Sequence, residues 1–219
     1  MTTKVKICGL RTAETLEAAL AGGADYVGLV FFARSPRNVS LDEAATLAAM
    51  ARGRAKVVAL VVDADDEALA RIAAEVRPDL FQMHGAETPG RVAEIKARHA
   101  IPVMKAIKVE TAADAREALA FKGAADLILF DAKAPKGLAG ALPGGNAITF
   151  DWRALDGVAA EIGDWMLAGG LTPGNVAEAI RLTQAPAVDV SSGVETAPGE
   201  KCTELIRRFL AAAKAGKGV

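Results

Sequence analysis

The sequence predicts an α/β protein, a closed (β/α)8 barrel formed as one domain over residues 1–219. Eight short β-rich segments alternate with eight Ala-rich amphipathic segments, which is the order expected for a parallel sheet with crossover helices. Most predicted strands are apolar on both faces, as strands buried between a barrel interior and a helical layer should be. A doubly wound open sheet is the alternative, but it usually has fewer strands, and no Gly-rich turn follows the first strand here.

The predicted elements follow one another without a linker of the kind that separates domains. Strands are predicted at residues 4–8, 26–31, 56–62, 80–84, 102–107, 127–131, 165–169 and 187–191. Helices are predicted near residues 12–22, 41–52, 65–77, 88–99, 111–122, 151–162, 173–184 and 200–215. The longest irregular stretch, residues 132–150, contains Gly-Gly and Pro and predicts a mobile, functional loop. The tail at residues 211–219 is predicted to fray.

Two segments half a barrel apart resemble each other. "GGADYVGLVF" (22–31) and "GAADLILFD" (123–131) both run from a helix-ending Gly through an Ala-Asp turn into a strand. The similarity is compatible with a duplicated half-barrel. It is equally compatible with ordinary helix-to-strand turn chemistry, in which Gly ends the helix.

Charge and composition exclude several classes of protein. The chain has 26 basic and 27 acidic residues and no basic face or arm, so nucleic acid is not an expected partner. We find no signal peptide, and the apolar run "VVALVV" is too short to span a membrane. The two cysteines, Cys8 and Cys202, are expected to be reduced in the cytoplasm. With only His84 and His99, a zinc site is not expected.

The carboxyl ends of the strands are where barrels of this type place their active sites. Strand two leads into "FARSPRN", which contains Arg34 and Arg37. The candidate site residues at the strand ends are Cys8, Arg37, Gln82, His84, Asp131, Gly169, Gly170, Asp189, Ser191, Ser192 and Gly193. For all of these residues except Cys8 and Asp131, we expect a role in substrate binding. His84 could instead be a hydrogen-bonded rim residue, and Cys202 is expected only to pack.

Two glycine-containing turns follow the last two strands, in "AGGLTPGNV" (168–176) and "DVSSGVE" (189–195). Thr172 and Pro173 suit the cap and first position of a helix. Backbone N–H groups in such turns, with a helix N-terminus, bind phosphate in many barrels. The pair of turns therefore predicts a phosphate site, although each alone is ordinary strand-to-helix chemistry.

Three titratable side chains could do chemistry at the same rim. Asp131 follows the apolar run "LILF", so desolvation would raise its pKa and suit it to act as an acid. Cys8 would serve as a base only as the thiolate, which needs a nearby positive charge. Arg37 suits a carboxylate ligand. The alternatives are a buried, inert Cys8, an Asp131 paired with Lys133, and a solvated Arg37.

Seven motifs occur in order from residue 4 to about residue 210. They are "KICGL", "FARSPR", "FQMHG", "FDAK", "FDW", "AGGLTPGNV" and "VDVSSGVE". Together they resemble the phosphoribosylanthranilate isomerase family of tryptophan biosynthesis, whose members are (β/α)8 barrels. The resemblance implies that Cys8 is the general base, that Asp131 is the general acid and that Arg37 holds the anthranilate carboxylate. It places the phosphate at Gly169, Gly170, Ser192 and Gly193.

The reaction that the resemblance implies is an Amadori rearrangement, an aldose-to-ketose isomerisation of a phosphorylated small molecule without metal or redox cofactor. The chain departs from the family at Ala147, where Gly is common, and in an extended loop. The alternatives are a metal-dependent phosphosugar epimerase, a non-catalytic phosphosugar binder, and a broader specificity for a substrate with two phosphates. Whether the chain is a monomer or a homodimer is left open.

Overall fold

The computed structural model describes residues 2–133, 144 and 149–216. Eight parallel strands close into a barrel in chain order, and β1 pairs with both β2 and β8. The predicted (β/α)8 barrel is therefore confirmed, and an open sheet is excluded. The strands are β1 Lys4–Cys8, β2 Tyr26–Phe31, β3 Lys56–Val61, β4 Leu80–Met83, β5 Val103–Val109, β6 Leu127–Ala132, β7 Trp165–Leu167 and β8 Ala187–Val190.

The helices follow the barrel strands, and the last four depart from prediction, the seventh at its start beside the site. They are α1 Ala13–Ala21, α2 Leu41–Ala51, α3 Asp66–Glu75, α4 Pro89–His99, α5 Ala112–Arg116, α6 Val158–Ile162, α7 Val176–Thr183 and α8 Thr203–Ala215. The helix predicted at 111–122 changes to a 3-10 turn after Arg116. The one predicted at 151–162 is broken by Gly157, whose φ is +80°. The last helix starts at Thr203 because Glu195–Ala197 (β9) and Glu200–Lys201 (β10) form a hairpin before it.

The core has two parts, because side chains of a strand point alternately to opposite faces. One buried cluster fills the barrel and includes Tyr26, Val58, Met104, Leu129 and Met166. The other, larger cluster lies between the strands and the helices. Towards the carboxyl ends, the inward positions change from apolar to polar, and this change creates the site.

Aspartates in the helix-to-strand turns explain the internal similarity. Asp25 and Asp126 accept hydrogen bonds from the backbone N–H groups of Val5 (2.8 Å) and Val103 (2.9 Å). Asp79, in a turn outside the two similar segments, does the same for Val57 at 2.7 Å. Because the contact recurs where no duplication was suspected, turn chemistry accounts for the similarity.

Part of the predicted loop and tail lies outside the described residues. Positions 134–143 and 145–148, including Ala147, and positions 217–219 belong to this group. In the part of the chain that is described, no helix has the length and apolarity needed to cross a membrane.

Candidate active site

A cavity opens at the carboxyl ends of the strands and encloses about 770 Å³, including the open space at its mouth. Every predicted site residue lines it: Cys8, Arg37, Gln82, His84, Asp131, Gly169, Gly170, Asp189, Ser191, Ser192 and Gly193. Arg34 is exposed and does not line the cavity. Residues separated by more than 180 positions meet here because the barrel closes β8 onto β1.

Cys8 ends β1 with its side chain inside the barrel, and the residue is 3% exposed. Burial is the main influence on its thiol and raises the pKa, while the neighbouring Lys6 ammonium acts in the opposite direction. Lys6 lies two residues earlier on the same face and donates to Asp189 Oδ1 at 3.0 Å. Burial disfavours the Lys6 ammonium, but Asp189 and Cys8 outweigh it and raise the Lys6 pKa. Cys8 is therefore buried, as the alternative of an inert cysteine expected. It nevertheless lies beside the Lys6 ammonium, which that alternative did not include.

Asp131 faces the same cavity from β6. Its side chain forms a hydrogen-bonded chain with His84, which follows β4, and with Gln82, which lies in β4. Its Oδ2 lies 3.2 Å from His84 Nε2, and Gln82 Nε2 lies 3.0 Å from His84 Nδ1. A Cβ at Gly144 would lie 2.7 Å from both Asp131 Oδ2 and His84 Nε2, so the backbone at residue 144 is against this pair. The suggested pairing of Asp131 with Lys133 is wrong, because Lys133 binds Asp114 at 2.8 Å.

Arg37 is 5% exposed, so the alternative of a solvated loop charge is wrong. Its Nε and Nη2 atoms each donate to a different oxygen of Glu195 at 2.8 Å. Glu195 also accepts from Lys201, which donates to Ser191 O at 3.2 Å and to Ser191 Oγ at 3.3 Å. Burial opposes ionised Glu195, but the two cations outweigh it and lower the Glu195 pKa.

The two glycine-containing turns meet at the cavity. Gly169 and Gly170 have φ values of +83° and +62°, in the left-handed region that favours glycine. A Cβ at Gly193 would overlap the Leu171 carbonyl oxygen, so the turns after β7 and β8 are in close contact. The helix expected to begin at Pro173 starts at Val176 instead. The Asn175 side chain accepts from the Thr172 N–H at 2.7 Å and the Thr172 hydroxyl accepts from the Gly174 N–H at 3.2 Å, so a capped turn precedes the helix.

Sequence reasoning missed three charged residues of the site: Lys6, Glu195 and Lys201. Lys6 carried a usable signal, because it is a charged residue inside an apolar strand at the inward spacing from Cys8. Glu195 and Lys201 lie in the unexpected hairpin, where they looked like ordinary loop and helix-end charges. Among the described residues, no group of three or more His, Cys, Asp or Glu side chains is placed to hold a metal ion.

A (β/α)8 barrel with its polar residues gathered at the carboxyl ends of the strands belongs to the class of barrel enzymes. The sequence model of the N-(5'-phosphoribosyl)anthranilate (PRA) isomerase family matches residues 5–212. The chain belongs to this family and is an isomerase of tryptophan biosynthesis. The predicted family membership is thereby confirmed.

Individual relatives agree along nearly the whole chain. The N-(5'-phosphoribosyl)anthranilate isomerase of Rhodopseudomonas palustris is 56% identical over 215 residues, which cover 98% of this chain and 97% of the relative. The crystal structure of the Thermotoga maritima phosphoribosyl anthranilate isomerase has a TM-score of 0.87 at 34% identity, covering 98% of this chain and all of that one. Another phosphoribosyl anthranilate isomerase structure, in complex with reduced 1-(o-carboxyphenylamino)-1-deoxyribulose 5-phosphate, has a TM-score of 0.85 at 31% identity and the same coverage.

Proposed function

We propose that Cys8 is the general base and Asp131 the general acid in the conversion of N-(5'-phosphoribosyl)anthranilate into 1-(o-carboxyphenylamino)-1-deoxyribulose 5-phosphate. The observation that carries this proposal is their placement in one cavity with Arg37 and the turns after β7 and β8. Acid–base catalysis needs two groups in different environments within reach of the same substrate. Cys8 lies beside ammonium groups, whereas Asp131 lies beside an imidazole.

The first step opens the sugar ring. Asp131 gives its proton to the furanose oxygen, the bond between that oxygen and C1' breaks, and the anthranilate nitrogen supplies the electron pair for a C1'=N iminium. The ring oxygen becomes the 4'-hydroxyl. The contact with His84 and the backbone N–H of Ala132, which donates to Asp131 Oδ1 at 3.0 Å, would orient the carboxyl for this transfer.

The second step moves the hydrogen that converts the aldose into a ketose. The Cys8 thiolate removes the proton from C2', and the electrons of that C–H bond neutralise the iminium and form an enolamine. Proton transfer from the 2'-hydroxyl oxygen to C1' then gives the aminoketose. Because the iminium accepts the electrons, the substrate needs no oxidant or reductant, and return of the proton from Cys8 to Asp131 restores both groups for the next turnover.

The remaining cavity residues would bind the substrate in a fixed orientation. Arg37 is assigned to the anthranilate carboxylate, since guanidinium pairs well with that group. Gln82 suits a sugar hydroxyl, because its buried Oε1 has no hydrogen-bond partner among the described residues. The phosphate is assigned to the two turns, with Gly169, Gly170, Ser192 and Gly193 closest and Ser191 beside them. His84 and Asp189 also line the cavity and are assigned to the sugar.

The alternative of a second phosphate is disfavoured by the turns after β3 and β4. Glu87 lies there, accepting from the N–H groups of Asp63 (2.9 Å) and Gly85 (3.0 and 3.1 Å). It also pairs with Lys105 at 2.8 Å. The Glu87 carboxylate therefore occupies donors that a phosphate would need.

The direct test is turnover of freshly prepared N-(5'-phosphoribosyl)anthranilate, followed by the loss of its fluorescence. Cys8→Ser and Asp131→Asn should each lower kcat by about 10²–10⁴-fold. Cys202→Ser is the matched control, because Cys202 lies outside the cavity and should leave turnover unchanged. Near-normal kcat in either of the first two variants would remove that residue from its role.

We further propose that the chain acts as one cytoplasmic domain whose partner is the phosphorylated substrate. Both cysteines are free thiols, which suits a reducing compartment. A solved Thermotoga maritima relative is described as dimeric, and gel filtration would decide between a monomer and a homodimer for this chain.

A further inference from the structure

We propose that Lys6, held by Asp189 and accommodated by Gly28, supplies the positive charge that keeps Cys8 available as a thiolate. Lys6 and Asp189 are thus positioning residues that act through Cys8 and set the pH at which the base is ready. The proposal rests on the assignment of Cys8 as the general base.

Lys6 is placed to act on the sulfur. It lies two residues before Cys8, on the inward face of β1, and it is completely buried. A Cβ built on Gly28 would be 2.9 Å from Cys8 Sγ and 3.1 Å from Lys6 Nζ, so those two atoms are at most about 6 Å apart. Each group influences the pKa of the other in the direction that favours the charged pair. An opposite charge at this range favours the ionised thiol by about 1–3 pH units.

Asp189 holds the ammonium in that position. The barrel register places Asp189 of β8 directly beside Lys6, and their side chains are joined at 3.0 Å. A lysine without a carboxylate in this interior would lose its proton, because burial disfavours the charged form. Asp189 therefore preserves the charge that Cys8 needs, although its own negative charge opposes the thiolate.

Other charges face this group from neighbouring elements. Lys201 of β10 also favours the thiolate, and it is held by Ser191, whose Oγ donates to Cys8 O at 3.2 Å. Asp131 of β6 and His84 after β4 interact with Asp189 from across the cavity. Lys6 is the strongest of the charges that favour the thiolate.

A purely structural ion pair would be a weak explanation for Lys6. Replacing a buried ion pair by apolar side chains is often neutral or stabilising, so stability alone does not require these charges. The chain offers a direct comparison in Lys105, a second buried lysine inside the strands, which binds Glu87 and the Gly85 carbonyl (2.7 Å). Lys105 binds groups in the turn after β4, whereas Lys6 lies within about 6 Å of the reactive sulfur.

The test measures Cys8 itself and does not need turnover. In a Cys202→Ser background, the rate of alkylation by iodoacetamide would be followed against pH for the parent, Lys6→Met, Lys6→Met/Asp189→Asn and Lys105→Met. The double variant protects against misfolding, because it leaves no unpaired carboxylate in the interior. Lys105→Met is the matched buried-lysine control.

The midpoint is the pH at which the alkylation rate reaches half its maximum. We expect it to rise by about 1–3 pH units in Lys6→Met. It should rise by less, in the same direction, in the double variant, where the opposing charge of Asp189 is also gone. In each variant, the pH at which kcat/KM rises should increase by the same amount as the alkylation midpoint. Activity that is lost at neutral pH should therefore return at higher pH. Lys105→Met should leave the midpoint in place.

An unchanged midpoint in the folded double variant would overturn the role of Lys6. Failure of the underlying assignment gives a different result. If Cys8 were not the base, Cys8→Ser would retain turnover while the alkylation midpoint still shifted.

Discussion

Gly28→Ala tests the geometry that brings the thiol and the ammonium together. The added Cβ would lie 2.9 Å from Cys8 Sγ, 3.0 Å from Cys8 Cα and 3.1 Å from Lys6 Nζ. Non-bonded heavy atoms attract best at about 3.5–4.0 Å, so the sulfur must move and the other two atoms must each give way by a few tenths of an ångström. Because one of them is a backbone atom, rotation of side chains alone cannot relieve the overlap.

The expected cost of Gly28→Ala is about 1–3 kcal/mol in the free energy of unfolding. For a chain of this length, that corresponds to a fall of about 2–12 °C in Tm. Displacement of a reacting group by about 1 Å can cost 10²-fold in rate, so we expect kcat/KM to fall by about 10–100-fold. Substrate turnover by fluorescence and urea denaturation measure the two effects.

Gly90→Ala is the matched control for the added methyl group. It lies in α4, and the nearest atom to its Cβ would be Thr88 Oγ1 at 4.0 Å. This control should keep full activity and normal or slightly higher stability. If Gly28→Ala gave the same kcat/KM and unfolding curve as Gly90→Ala, packing at Gly28 would not be what places the sulfur.

Three further predictions concern other parts of the cavity and its surroundings. Glu195→Gln should raise KM more than it lowers kcat, because Arg37 loses its charged anchor; steady-state kinetics showing a fall in kcat alone would contradict this. Gly193→Ala should weaken competitive inhibition by inorganic phosphate at least about tenfold, since its Cβ overlaps a carbonyl of the facing turn, and unchanged inhibition would refute that contact. Burial opposes ionised Glu87, but Lys105 outweighs it and lowers the Glu87 pKa, so stability should be lost as pH falls below about 4.3. Urea titrations should give Glu87→Gln a shallower loss than the parent, and equal slopes would exclude a role for Glu87.

Local chemistry explains why much of the site was predictable. Cys8, Asp131, Gly169 and Gly193 each stand where an apolar run stops, and the carboxyl ends of parallel strands meet at one end of a barrel. No contact between them needs to be known to place them together. The helix start at Pro173 was wrong because a capped turn over Thr172 to Asn175 precedes the helix.

The electrostatic partners were not predictable in the same way. Arg37 and Glu195 are 158 residues apart in the chain, and Lys6 and Asp189 are 183 apart. Each residue taken by itself is an ordinary charge. Their meeting depends on the register in which β8 pairs with β1 and on the hairpin that follows β8.

The sequence by itself determined the order of strands and helices, the closed barrel and the rim on which the chemistry lies, because periodicity and turn residues act over a few positions. It also contained the family motifs. The tertiary structure decided which charged group pairs with which side chain: Asp189 with Lys6, His84 with Asp131 and Glu195 with Arg37. Those pairings depend on distances of about 3 Å across a closed barrel, and only the folded register sets such distances.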